Sequence, residues 1–517
     1  MKAVSENDRP GRLRLAARGA TRHLPLLILL TLLIVHCTQT FGVYLAKDDI
    51  NWLRRTVADS SRPWNVFVEP LYSNYYRPVI HAIWLLNYAV WGFEYAGYQL
   101  TLVLIWLACV ALLYGAGLRI GGRTTALLAA LLIGFNDIFL LLASWKSWVT
   151  VLTEFAFVMA WFWCFVVWLD NRKRKDLLLW IILAGLATLS KESAPLIISA
   201  GVFVAWVWPE ADGISRGPLR PVLIRGVIWA AVSLAVLLAL PSYRGALVSA
   251  LGAGGQAPEG PREISVAHIV PRFISHSESM FRYGLHYSLL LFALLAALWK
   301  RKGMKERRPR TWHKPLLGAA VLGLIVVSLP TGGAIWEEMG GVEIAQRIVW
   351  PIMFLLLCLG FVLLALSGDR IDRILGAWFL VALMPFLLFR VGSNAYHMLS
   401  LAAIVLWTAR VIGGFIRDEA VPVWRRWLSG AVSSQEPSRG LLILLFTLVL
   451  GMQAFVLLRN CDRVHNPDYR DTLPSRVAAG RRAKAQVEAA REELVADPGL
   501  ASTVYVANDR YEWVVAT

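Results

Sequence analysis

Charge is scarce in this chain. Of its 517 residues, 17% are charged and 57% are hydrophobic, whereas soluble proteins carry about 25% charged residues. The shortfall excludes a soluble protein of ordinary composition. The signatures of soluble nucleotide and zinc-protease chemistry are also missing: there is no Walker A sequence, no dinucleotide-binding fingerprint and no HExxH pair. Cysteine is sparse, with five residues and no CxxC or Cys/His spacing, so neither a zinc site nor a disulfide framework is indicated. Cys37, Cys109, Cys164 and Cys358 fall inside apolar runs and read as small buried apolar residues, while Cys461 stands beyond the last run.

What the chain has instead is apolar runs, recurring from end to end. A bilayer-spanning helix needs about 20 such residues, fewer when flanking side chains snorkel. Candidate spans are 24–46, 98–118, 124–142, 151–169, 177–190, 194–208, 222–241, 284–299, 315–330, 348–367, 374–390, 397–415 and 440–458. The expected fold is an all-α polytopic membrane protein of about 13 transmembrane helices. Interfacial helices are expected in the first outer loop, with a small α/β tail outside.

The net charge of +17 does not point to nucleic acid, because the cations cluster in short loops between apolar runs. The basic segment 1–23 precedes a first run too long for a signal peptide, and it reads as the cytoplasmic start of a retained span. Alternating sides from there puts Arg119–Arg123, "DNRKRKD", "PEADGISRGPLRPVLIR", "KRKGMKERRPRTWHK", "SGDRIDR" and "RDEAVPVWRRW" inside. That distribution follows the positive-inside rule. Outside fall the first loop (47–97), 242–283, 331–347 and the tail (459–517), which bracket a membrane domain of 24–458. In the tail, 473–495 has helical composition and "STVYVAN" reads as a strand. The tail is expected to dock on the outer face.

Two acids, Asp48 and Asp49, stand at the outer exit of the first span. A carboxylate held at the interface beneath amphipathic helices is placed to act as a base toward both lipid-borne and soluble substrates. The plainer alternative is a capped helix start at "DDINWLRR". Cations also occur on outward segments, against the topological bias: Arg77, Lys146, Lys191, Arg244, Arg272, Arg282, Arg347 and Arg390. Such groups suit the phosphate of a lipid carrier, or a headgroup or local ion pair. Asp137 lies in or near the outer half of the third run, and intramembrane acids are functional candidates by default. Glu154 is a weaker candidate of the same kind.

The order of features resembles the bacterial multi-pass glycosyltransferases of the GT-C superfamily, such as protein O-mannosyltransferases and aminoarabinose transferases. The likeness rests on Asp48-Asp49, on the Arg-Pro element and Gly-Tyr pair of "YYRPVIHAIWLLNYAVWGFEYAGYQLTLVL", on "LATLSKESAPLII", and on "WFLVALMPFLLFRVGSNAYHMLSLAAIVL". The chain departs from many relatives in having Asn136-Asp137 where a His-Pro pair is common, and Asn394-Ala395-Tyr396-His397 where Arg-Tyr is common. The resemblance implies inverting transfer from a polyprenyl-phosphate sugar donor to an acceptor glycan, lipid or protein, at the outer side of a bacterial cytoplasmic membrane. It implies Asp48 as base and Asp49 as its partner. Arg77, Lys191, Arg347 and Arg390 would hold the donor phosphate, with Tyr396 and His397 nearby. No cofactor is certain. A divalent cation at Asp48 and Asp49 is an open option, since some relatives bind one, although no complete ligand set is visible. A transporter of lipid-linked glycans and an envelope glycan polymerase or ligase remain alternatives.

Overall fold

The computed structural model describes residues 9–43, 45, 48–69, 76–207, 350–388, 397–429, 503–508 and 511–516, with scattered positions between 271 and 485. Helix dominates. The first helices are α1 (Arg9–Thr38), α2 (Asp48–Asp59) and α3 (Pro78–Trp91). They are followed by α4 (Tyr95–Gly121), α5 (Arg123–Gly134), α6 (Asp137–Leu142), α7 (Val149–Asn171), α8 (Arg174–Ser190) and α9 (Ala194–Val207). Later come α10 (Trp350–Ser367), α11 (Arg370–Leu388), α12 (Met398–Phe415) and, after one π-helical turn, α13 (Val421–Leu428).

Among the described residues, four helices are long and apolar enough to cross a membrane: His23–Gly42, Tyr95–Gly121, Lys146–Asn171 and Met398–Ala420. At 1.5 Å per residue, α4 alone is roughly 40 Å long, against about 30 Å of hydrocarbon. The surface agrees with an apolar solvent. Leu178, Leu179, Ile181 and Ile182 on α8, and Ile352, Leu355, Leu356, Leu359 and Leu363 on α10, are all exposed. Water would not tolerate such continuous faces. Expected spans 222–241 and 315–330 lie outside the described residues, and of 284–299 and 440–458 only single positions are described.

The core is built by α4, α5, α7 and α12, with α9, α10 and α11 beside them. Trp106 stacks on Phe139 with ring centroids 5.1 Å apart, and Phe162 meets Trp378 edge-on at 5.4 Å. Small residues allow close helix approach, as membrane packing requires. A Cβ on Gly117 would lie 2.7 Å from the Ala126 Cα, and one on Gly413 would lie 2.5 Å from Thr125 Oγ1. Cys37 and Cys109 are buried and unbridged, as small apolar residues are.

Two expectations are corrected. The run 124–142, read as one span, is broken at Phe135–Asn136 into α5 and α6. Asn136 is the cause: its side chain caps α6 by accepting from the Phe139 N–H at 3.3 Å. Buried side chains satisfy backbone groups near the break, as a non-aqueous setting demands. Trp106 Nε1 donates to Phe139 O at 2.7 Å, His36 Nε2 donates to Leu140 O at 3.3 Å, and Gln99 donates to Ala143 O. The stretch "RDEAVPVWRRW", read as a loop, instead continues α12 as helix through Leu428. Its alternation of apolar and basic residues favours a helix lying in an interface.

At the C-terminal end of the chain, β1 (Thr503–Asn508) pairs antiparallel with β2 (Tyr511–Ala516), from Thr503↔Ala516 to Asn508↔Tyr511. The first of these strands was expected, the second not. Within 473–495, positions 474, 477, 478, 481, 482, 484 and 485 are helical. Val477 packs where a Cβ on Gly42 would sit, at 3.1 Å, and Lys484 Nζ lies 5.6 Å from the Tyr95 ring centre. The tail therefore touches the bundle where α1 ends and α4 begins.

Candidate functional site

The helices run alternately, so their turns gather at two ends. One end collects the start of α2, the α3–α4 turn, Lys146–Trp148 and the α8–α9 turn. The opposite end collects 119–123, 170–174 and 367–372, tied by Arg119 to Asp170 and by Arg410 to Asp369 and Asp372. Segments read from sequence to one side of the membrane thus share one end.

The first end holds the acidic pair. Asp48 and Asp49 open α2, where carboxylates are stabilised by the helix dipole. Their environments differ. Asp49 is fully buried and accepts a 2.6 Å hydrogen bond from the Ser147 N–H, with the Lys146 charge close by. That bond pins α2 to the turn before α7. Lys146 is itself buried and donates to Val43 O. Asp48 is exposed and lines a cleft of about 130 Å³ with Trp52, Arg77, Trp145, Ser147 and Trp148. Thr150 and Val151 complete its lining.

Arg77 reaches the cleft because Pro78 starts α3 directly behind it, a favoured first helical position. At the other end of α3, Gly92 takes φ +57°, a left-handed conformation suited to glycine, and the Tyr98 hydroxyl donates to its carbonyl at 2.8 Å. A Cβ on Gly97 would fall 2.2 Å from the Trp91 ring. The Arg-Pro, aromatic-Gly and Gly-Tyr residues are thus the parts of a tight α3–α4 hairpin.

The segment Ser190–Ser193 is an electrostatic knot. Glu192 takes Arg77 bidentately, with Nη2–Oε2 at 2.7 Å and Nε–Oε1 at 3.1 Å. Lys191 pairs with Glu154 Oε2 at 3.1 Å, and the Ser193 hydroxyl donates to Glu154 Oε1. Burial would raise the Glu192 carboxyl, but the Arg77 charge and its hydrogen bonds, with Lys191, outweigh it and hold that carboxyl below its usual range. The Arg-Pro and Ser-Lys-Glu-Ser stretches therefore meet through one ion pair. Arg77 and Lys191, expected at a donor phosphate, both have carboxylate partners.

A second network lies behind α2. Asp59 accepts from Arg55 Nε at 2.6 Å and from Asn65 Nδ2 at 3.1 Å, and buried His81 places Nε2 3.1 Å from Asp59 Oδ2. Arg55 also pairs with Glu69.

Asp137 is the first residue of α6, one position after the Asn136 cap. His397 is buried immediately before α12. Arg347, Arg390 and Tyr396 lie outside the described residues, as do Arg244, Arg272 and Arg282. For the divalent cation, no group of three or more His, Cys, Asp or Glu that could hold a metal occurs among the described residues.

Sequence reasoning missed Trp52, Trp145, Trp148, Ser147 and Glu192 as site residues. The tryptophans read as interfacial anchors, and nothing local marks Glu192 as the partner of a residue 115 positions away. No family model matches this chain, and no curated protein matches it.

Proposed function

We propose that the chain is an inverting glycosyltransferase that moves a sugar from a polyprenyl-phosphate donor onto an acceptor hydroxyl, at the outer face of a bacterial cytoplasmic membrane. One observation carries the reading. Of the adjacent acids, Asp49 is committed to the fold by the Ser147 bond, while Asp48 is presented in a cleft beside Arg77. A base must reach its substrate, and only Asp48 of the two is so placed. The basic loops gathered at the opposite end support a cytoplasmic assignment for that end.

In the reaction, Asp48 takes the proton of the acceptor hydroxyl as its oxygen bonds to the anomeric carbon. The bond from that carbon to the phosphate oxygen breaks, and the polyprenyl phosphate leaves with the electron pair. A single attack inverts the anomeric centre and needs no second carboxylate nucleophile. Cations near the leaving phosphate would stabilise its developing charge, and Arg347 and Arg390 are the proposed groups.

The test is mass spectrometry of envelope glycans and glycolipids in a deletion strain complemented with the wild-type chain or with Asp48→Asn at matched expression. A sugar mass restored by the wild type and absent with Asp48→Asn supports the reading. Restoration by Asp48→Asn would remove the base assignment.

A further inference from the structure

We propose that the α7–α8 turn binds an anionic phospholipid, with the lipid phosphate at the cations of the turn and its acyl chains along the outer face of α8. The inference goes beyond the reaction proposed above and is independent of it.

Charge selects the headgroup. Asn171 ends α7 and Arg174 opens α8, so Arg172 and Lys173 form the whole link. Arg172, Lys173, Arg174 and Lys175 are all exposed. Elsewhere at this end of the bundle cations are met by acids, Arg119 by Asp170 and Arg410 by Asp369 and Asp372. The four cations of the turn have no carboxylate partner among the described residues. Asp170 is taken by Arg119, and Asp176 accepts from the Asn171 amide at 3.5 Å. A zwitterionic headgroup would bring a further ammonium to this cluster, whereas an anionic one brings the missing negative charge.

The turn holds these charges in place. Arg172 has φ 54°, the left-handed position after a helix where Gly or Asn is usual. Its guanidinium carbon lies 4.7 Å from the Trp168 ring centre. Across the hairpin, Trp180 packs against Trp168 at 5.7 Å and meets Phe165 edge-on at 5.6 Å. The cations therefore sit on a clamped hairpin and not on a long loop.

Position selects a lipid. Arg174 and Lys175 precede Leu178 and Leu179 by one helical turn and share their face, which Ile181 and Ile182 continue. Leu178 is 60% exposed, and Leu179, Ile181 and Ile182 are each about half exposed. From Lys175 to Ile182 the face is about 10 Å long, within the roughly 15 Å depth of one leaflet. A molecule that meets the cations and also covers this face must be amphiphilic. An acidic peptide or a free phosphate would satisfy the charges and leave the four apolar side chains bare.

The experiment is native mass spectrometry of the full chain in mild detergent. It titrates dioleoylphosphatidylglycerol against dioleoylphosphatidylcholine, which has the same chains. Glycerophosphoglycerol supplies the headgroup without chains, and a glutamate decamer supplies a soluble acidic chain. Phosphatidylglycerol is expected to bind at least about 30-fold more tightly than phosphatidylcholine. Lys173→Gln/Lys175→Gln should lower the phosphatidylglycerol affinity about five- to thirtyfold, the range for one or both charges lying near the headgroup. Lys173→Arg/Lys175→Arg, which keeps the charge, should retain it. Arg54→Gln/Arg62→Gln removes the same charge from exposed positions on and after α2, and should also retain it. The thermal midpoint of each variant without lipid checks folding. Equal affinity for the two lipids, or an affinity unchanged in Lys173→Gln/Lys175→Gln, would overturn the proposal. So would an equal loss in Arg54→Gln/Arg62→Gln, which would mean a diffuse field in place of a site. Binding of glycerophosphoglycerol or the decamer as tightly as the lipid would overturn it in favour of a soluble anion.

Discussion

Arg410 at one end of the bundle and Arg77 at the other are each held by carboxylates, but for different purposes. Arg410 bonds Asp369 at 2.6 Å, Asp372 at 2.7 Å and the Ile120 carbonyl at 3.1 Å, and so ties α12 to the α10–α11 turn and to the end of α4. Arg77 is held bidentately by Glu192 and lines a cleft together with Asp48. One end uses ion pairs to close turns, while the other uses them to hold groups at an opening.

The sharpest way to break this contrast is to remove the proposed base. Asp48→Asn keeps the shape of the helix start and is expected to lower glycan transfer by at least about 100-fold, the low end of general-base catalysis. Arg410→Ala at the opposite end should leave the specific transfer rate of the folded fraction unchanged. Quantifying the transferred sugar against folded protein decides it, and equal losses in both variants would erase the distinction between the ends.

Next in size is the ion pair that joins the Arg-Pro and Ser-Lys-Glu-Ser segments. Glu192→Ala removes the carboxylate that holds Arg77 in a largely dry setting, and it should cost about 3 kcal/mol of stability. The readout is the thermal midpoint in detergent. A change within error would mean that the pair is ornamental. On the far side, Gly413→Ala forces a methyl group to within 2.5 Å of Thr125 Oγ1 and 2.9 Å of the Thr125 backbone nitrogen. The resulting separation of α5 and α12 should cost about 1–3 kcal/mol at a distance from the cleft, so the same midpoint should fall while the proposed transfer per folded protein is unchanged.

The contrast between the ends was only partly legible in the residues. Long spans such as α4 and α7 followed from continuous apolar runs, because length and hydropathy are local quantities. The break falls at the polar pair Asn136-Asp137, whose capping role was hidden because the run is apolar on both sides of it. Asp48 and Arg77 were legible as candidates, but the division of labour between Asp48 and Asp49 was not. It depends on the Ser147 N–H, 98 positions away. The same holds for Arg77 and Lys191, whose charges look available in sequence and are met in the fold by Glu192 and Glu154. Long-range pairing leaves no periodic trace in a single sequence, whereas helix length does.

Acid should unfasten the two ends in order, and this is the gentlest of the expected effects. His81 lies on α3, whose 14 residues reach roughly 21 Å and so fall short of a span. Burial depresses the His81 imidazole most, Asp59 raises it and Arg55 lowers it, and the net shift is below the ordinary value of 6.5. The unfolded chain therefore binds a proton at His81 before the folded chain does, and stability starts to fall as pH drops below about 6.5. Glu192 and Asp369 are depressed carboxyls. For Asp369 burial acts upward, and the Arg410 hydrogen bond and charge overcome it. Each contributes stability that is complete above its ordinary value, 4.5 for Glu192 and 3.8 for Asp369, and is lost as pH falls through the lower folded value. Hydrogen exchange followed from pH 7 to pH 4, with rates corrected for intrinsic pH dependence, should show α2 and α3 losing protection before the α10–α11 turn. His81→Phe should flatten the first part of that profile. Simultaneous loss at both ends, or an unchanged profile in His81→Phe, would show that His81 does not set the order in which the ends open.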